Sequence, residues 1–188
     1  TFAATDSFRL SERVLEVKTG ITASFIIPRA TALEIMRLAG DHPSEMRIAV
    51  SENQISARGA DFELVSRLID GHYPDYKKVI PDAFKASISI SKNELERSVR
   101  TASIFSSSIS DLALKAKAGT VEIMAKNSDR GEITATIPVS GVKTPFEVSV
   151  NYRYLLDGLK LIPPDNVIIG YTGEGSPLVL QGEGHSDV

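Results

Sequence analysis

Cysteine is absent, so this chain holds no disulfide, no thiolate zinc ligand and no cysteine nucleophile, and a reducing, cytosolic setting is favoured. No apolar run approaches the roughly 20 residues that a membrane-spanning helix needs. The opening TFAATDSFRL has neither a basic start nor an apolar core, so no signal peptide is expected in it. The common catalytic signatures are missing as well: there is no Walker loop, no GxGxxG, no HExxH and no GxSxG. Histidine is scarce, and His42, His72 and His185 are scattered. His72 stands near Asp70 and Asp75, but a turn rich in charge is more often solvated than catalytic. Ser106, Ser107, Ser108 and Ser110 cluster without a base at a sensible place and read as turn residues. The expectation is a non-catalytic protein with no metal and no cofactor.

What is present is ordinary in bulk and specific in arrangement. At 188 residues, 42% hydrophobic and 24% charged, the chain has room for one large or two small domains. The joint is RLIDGHYPDYKKVIP (67–81). An apolar strand closes with Val65, Leu68 and Ile69, Asp70-Gly71 makes a turn, and Pro74 and Pro81 bracket a short run. Each proline pushes Tyr73 and Ile80 out of the helical region, which predicts an extended connector. Tyr73 and Tyr76 must pack on something, unlike the Gly and Ser of a flexible linker, so the link reads as stiff and docked.

An internal repeat organises the rest. A strand runs into a helix three times: ASFII into PRATALEIMRLAG, FKASISI into SKNELERSVRTASIFS, and FEVSV into NYRYLLDGLKLI. Pro28, a Ser91/Glu94 capping box and Asn151 mark the helix starts. Further strands follow each helix: MRIAV, QISAR and FELVSRLI; LALKAKA, VEIMAK and GEITATIPV; VIIGYT and PLVLQ. The unit is strand, helix, strand, strand, strand. The third copy lacks its last strand, and residues 1–19 resemble the closing strands of an earlier copy, so a piece of a longer protein is expected. Alternation at Phe84, Ala86, Ile88 and Ile90, and at Met46, Ile48 and Val50, predicts an α+β fold of antiparallel sheets covered by helices on one face.

Charge is segregated. The helices carry seven basic residues, Arg29, Arg37, Lys92, Arg97, Arg100, Arg153 and Lys160, against Glu34, Glu94, Glu96 and Asp157, while the whole chain is −3. Arg97 and Arg100 lie opposite the stripe Leu95, Val99, Ala102, and Arg153 and Lys160 lie opposite Leu155, Leu159, Ile162. One such helix is the wet face of an amphipathic element. Three suggest a shared basic surface for a polyanion held by its backbone charge. Ile104 breaks this pattern by falling on a polar face beside Phe105, which points to a subunit contact.

ATDSFRL (4–10), LIDGHYPDYKKVIP (68–81) and NYRYLLDGL (151–159), in that order on the strand-helix repeat, resemble the bacterial β sliding clamp family, whose rings hold the replicative DNA polymerase on DNA. The resemblance implies the clamp fold, with residues 1–82 as the latter part of a middle domain including the connector and 83–188 as most of the last domain. It implies a head-to-tail homodimer ring around duplex DNA, lined by the seven basic residues named above, with Ile104 and Phe105 in the dimer contact. It also implies a pocket that takes a short linear motif from polymerase subunits, clamp loader and repair proteins. Carried over position by position, that pocket is Thr5, Ser7, Phe8, Arg9, Leu10, Pro74, Lys78, Val79, Ile109, Asn151, Tyr154 and Pro177. The family varies at Phe8 and Ile109. Such a protein would be a cytoplasmic, bacterial, non-catalytic accessory subunit. The contrasting readings are an enzyme, for which no cleft of titratable groups is visible, and a protein-binding repeat module without DNA, from which salt dependence would separate it.

Overall fold

Alternating burial along the strands decides the layering, and in the computed structural model, which describes residues 1–16, 22–41, 45–142, 144–163 and 165–184, it is sharpest in the second half of the chain. The chain divides into two compact units, Val17–Tyr76 and a second made of Thr1–Glu16 with Lys77–Val188.

In the larger unit two repeats are present. The first is β6 (Ala86–Ser91), α2 (Lys92–Ser103), β7 (Asp111–Lys117), β8 (Thr120–Asn127) and β9 (Gly131–Pro138), and the second is β10 (Phe146–Asn151), α3 (Tyr152–Leu161), β11 (Asn166–Tyr171) and β12 (Leu178–Gly182). The repeats exchange their opening strands. β6 pairs antiparallel with β11, Ile88 opposite Ile169, and β10 pairs antiparallel with β7, Val148 opposite Leu114. Two sheets result, β10-β7-β8-β9 and β12-β11-β6. A two-way bridge between Ser89 and Ser140 ties β6 to the segment after β9.

Both helices lie on the core. Ser91 caps α2 by accepting from the Glu94 N–H, and Asn151 caps α3 by accepting from the Arg153 N–H. Leu95, Val99 and Ala102 of α2 and Leu155 and Leu159 of α3 are buried in one cluster with Ile88, Ile90, Leu114, Ile123, Val167 and Ile169. The predicted α+β class, with its repeated unit and antiparallel sheets, is the observed one. The amino-terminal part of this unit is a hairpin, β1 (Phe2–Thr5) with β2 (Leu10–Arg13), in register from Phe2–Arg13 to Thr5–Leu10.

The smaller unit contains α1 (Arg29–Asp41) and the sheet β3 (Arg47–Val50), β4 (Gln54–Arg58) and β5 (Glu63–Arg67) in that order. Among its described residues Ile55 and Ala57 are the buried apolar ones, and a Thr31 to Ser66 hydroxyl hydrogen bond of 2.7 Å joins α1 to β5. Two sequence expectations fail in and beside this unit. ASFII is not a strand: it contributes a single bridge, Ile26 to Ile69, because it has no longer partner among the described residues. The connector is not extended throughout. Tyr76–Val79 forms a 3-10 turn, with the Tyr76 N–H donating to the Pro74 carbonyl and the Ile80 N–H to the Lys77 carbonyl. Proline restrains only the residue before it, so the four residues between Asp75 and Ile80 were free to coil. No described helix is long and apolar enough to cross a membrane. His42 and His185 lie outside the described residues.

Candidate functional site

The turn of the β1–β2 hairpin is over-determined by its own side chains. Asp6 Oδ1 accepts the Phe8 and Arg9 N–H groups at 3.1 and 3.0 Å, and Thr5 Oγ1 donates to the Arg9 carbonyl at 2.8 Å. Such Asx-type bonding is what Asp and Thr offer a tight turn. It forces Ser7 to φ 73°, a left-handed conformation that a residue with a Cβ resists. Ser7→Gly is therefore expected to raise the stability of this unit by up to about 1 kcal/mol, and Ser7→Val to lower it, as read from thermal midpoints.

The turn throws Phe8 outward, 80% exposed, and aims Arg9 at α3. Arg9 Nη1 donates to Asp157 Oδ2 at 2.8 Å, its Nε donates to Asp6 Oδ2 at 2.9 Å, and its guanidinium carbon lies 4.7 Å from the Tyr154 ring centre. The Phe8 and Tyr154 rings are 6.3 Å apart and tilted by 32°. Arg9 holds both carboxyls below their usual range, with Lys160 adding to the effect on Asp157, and Asp157 followed by Asp6 raises the Arg9 pKa in return. Four charges are thus paired, and the surface left over is largely aromatic.

A second device fixes Ile109. Ser107 donates to Asp111 Oδ1 and accepts from the Ile109 N–H, Asn151 Nδ2 donates to the Ile109 carbonyl at 3.3 Å, and Ser110 turns at φ 63°. The Ile109 side chain is left 73% exposed. Asn151 therefore has two duties, capping α3 and pinning this loop. Val79 is exposed on the 3-10 turn with Lys78, Leu10 is half-buried in β2, and Pro177 accepts from the Thr172 hydroxyl at 2.8 Å. Among the expected pocket residues the structure thus joins Phe8, Arg9 and Tyr154 in one cluster and Asn151 with Ile109 in another. Thr5 and Ser7 build the turn, and Pro74 belongs to the smaller unit. Asp6 and Asp157 were not singled out from the sequence. The available signal was a lone carboxylate three positions after Tyr154, where one helical turn brings the two together.

The basic residues are not equivalent. Arg37 is gripped by Glu34 at 2.6 Å and Asp41 at 2.8 Å, Arg100 by Glu96 at 2.6 Å, and Lys160 by Asp157 at 2.9 Å. Lys92 is half-buried and donates to the Ile162 carbonyl, bracing the end of α3. Arg29, Arg97 and Arg153 are exposed, and Arg97 has no ion-pair partner among the described residues. Arg153 Nε donates to the Tyr152 hydroxyl at 3.4 Å and pulls the pKa of that phenol down, with its guanidinium carbon 5.8 Å from the ring centre. Ile104 is 58% exposed just past α2, whereas Phe105 is half-buried against the core.

Two family models match this chain in tandem. Residues 1–75 match the central domain of the DNA polymerase III beta subunit, and residues 77–188 match its C-terminal domain. The chain belongs to the DNA polymerase III beta subunit family. It is 26% identical over 189 residues to the "Beta sliding clamp" of Staphylococcus aureus, covering 98% of this chain and 50% of that protein. A crystal structure of the Pseudomonas aeruginosa DNA polymerase sliding clamp superposes with a TM-score of 0.90 at 26% identity, over 98% of this chain and 51% of that one. The C. crescentus beta sliding clamp, at 24% identity and a TM-score of 0.92 over 98% and 50% of the two chains, shares the fold. The chain spans about half the length of the curated relatives it matches.

Proposed function

We propose that this chain is the latter half of a sliding-clamp subunit, a non-catalytic, cytoplasmic protein that encircles duplex DNA as a homodimer ring and tethers the replicative polymerase. Residues 1–82 belong to its middle domain, with the connector, and residues 83–188 to its last. Phosphate-facing cations hold the duplex without reading sequence, so the ring slides. Ile104, with Phe105 behind it, takes part in the contact between subunits. Polymerase subunits, clamp loader and repair proteins dock through a short linear motif at the surface around Phe8, Arg9 and Tyr154.

The observation that carries the reading is that cluster: exposed Phe8 beside a Tyr154 ring covered by a guanidinium that two carboxylates already pair. Exposed aromatic surface with its polar groups already satisfied suits an extended peptide that inserts one or two apolar anchors. In the intact protein, Leu10→Ala and Val79→Ala are each expected to cost on the order of 1 to 2 kcal/mol of affinity for a fluorescein-labelled peptide carrying a leucine and a phenylalanine anchor. Thermal melts run alongside separate lost binding from lost folding. A folded double variant that binds the peptide as tightly as wild type places the peptide elsewhere.

A further inference from the structure

Asp157 is the one α3 side chain among the described residues that holds Arg9 by a hydrogen bond and ion pair, across 148 positions of sequence. Tyr154 precedes it by three residues on the same helix, so the two share a face. A guanidinium gripped at Nη1 by Asp157 and at Nε by Asp6 is fixed at two of its nitrogens, and its carbon then lies over the Tyr154 ring, 4.7 Å from the ring centre. Lys160 occupies the other Asp157 oxygen at 2.9 Å, which orients the carboxylate so that Oδ2 is presented to Arg9. Without Asp157, Arg9 would keep only the carboxylate of its own turn and could swing away with it. Tyr154 would then lose the neighbour on its face, and exposed Phe8 would lose a fixed partner ring.

We propose that Asp157 is a positioning residue for the peptide site, acting through Arg9 to hold Tyr154 and Phe8 in a binding-ready arrangement; the inference rests on the peptide-site reading above. Its stabilising role in the fold is small, because an exposed ion pair contributes little in water. Its value is pre-organisation, since side chains already ordered lose less freedom when a ligand arrives. The charges of Asp6, Arg9, Asp157 and Lys160 cancel within the cluster, so the surface offers an apolar peptide shape and stacking rather than a free cation for an acidic residue.

The test uses the intact protein and the same fluorescein-labelled leucine-phenylalanine peptide, followed by anisotropy with thermal melts in parallel. Asp157→Ala is expected to weaken binding about fivefold with an unchanged thermal midpoint, and Asp157→Glu to retain most of the affinity. In an Arg9→Ala background, the further change Asp157→Ala should do nothing, because its route is already cut. Equal weakening by Asp157→Ala with and without Arg9 overturns the inference. So does wild-type affinity in Asp157→Ala when the Leu10→Ala, Val79→Ala double variant loses the peptide, a result that leaves the site in place. If neither Asp157→Ala nor that double variant changes affinity, the peptide-site reading falls and takes this inference with it.

Discussion

Leu159→Ala is expected to destabilise the larger unit by about 3 to 4 kcal/mol, in the upper part of the usual range for a buried leucine. Leu159 is fully buried between α3 and the sheets, in the cluster that includes Leu95, Val99, Val167 and Ile169. The cost of such a truncation depends on how far the surroundings can close over the hole. Here closure is limited. Gly158, next to Leu159, packs so near β12 that an added Cβ would stand 3.0 Å from Leu180 Cδ1, so α3 already lies close to that strand and has little room to move in. Leu161 of the same helix is exposed and supplies the control, since Leu161→Ala should change stability by no more than about 0.5 kcal/mol. Urea melts of the intact protein decide the matter, and a loss below about 1 kcal/mol for Leu159→Ala would mean the helix does repack.

In the intact protein, Arg97→Ala with Arg153→Ala is expected to reduce the slope of log affinity for duplex DNA against log salt by about 2 per subunit, while Arg37→Ala leaves it nearly unchanged. The difference comes from how each charge is spent. Arg37 already bridges Glu34 and Asp41, so removing it releases no phosphate contact and frees two carboxylates. Arg97 and Arg153 are exposed with no ion-pair partner among the described residues, and Arg153 Nε donates to the Tyr152 hydroxyl at 3.4 Å. Retention on closed circular DNA as salt is raised measures the effect. A slope that ignores Arg97 and Arg153, or binding with no salt dependence at all, would point instead to a protein-binding module that never meets DNA.

The core was legible because burial on one face writes itself into sequence. In β7, β8 and β6 every second residue is buried, as the alternation of LALKAKA, VEIMAK and ASISI implies, and the Ser91 and Asn151 caps stand where their side chains predicted. ASFII has the same local pattern and forms only a bridge, because a strand needs a partner and no local signal supplies one. The site was half legible. Phe8, Arg9 and Tyr154 could be named from a family motif, yet the carboxylates that arrange them could not. Asp157 meets Arg9 only after the chain has folded, and its other partner, Lys160, makes it look like an ordinary surface pair. The basic faces were legible only in part for the same reason: a helical wheel shows where Arg100 and Lys92 point, not that Glu96 and the Ile162 carbonyl are their partners.

The exchange of opening strands between the two repeats sets the order in which this unit can be made. Ile88 is synthesised 81 positions before Ile169, its partner in the ladder, so at about 5–20 residues per second β6 waits roughly 4 to 16 s for β11 to exist. During that time the edge of β6 that pairs with β11 has no native partner and its isoleucines have only the cover that α2 and β7–β8 supply, and the long loop that pairing must close makes the step slow even once both strands are present. A ribosome stalled between β9 and β11 would expose a sticky half-domain, so nascent chains of this family should be clients of ribosome-bound chaperones over that interval, and slow codons there should raise aggregation more than slow codons after β12.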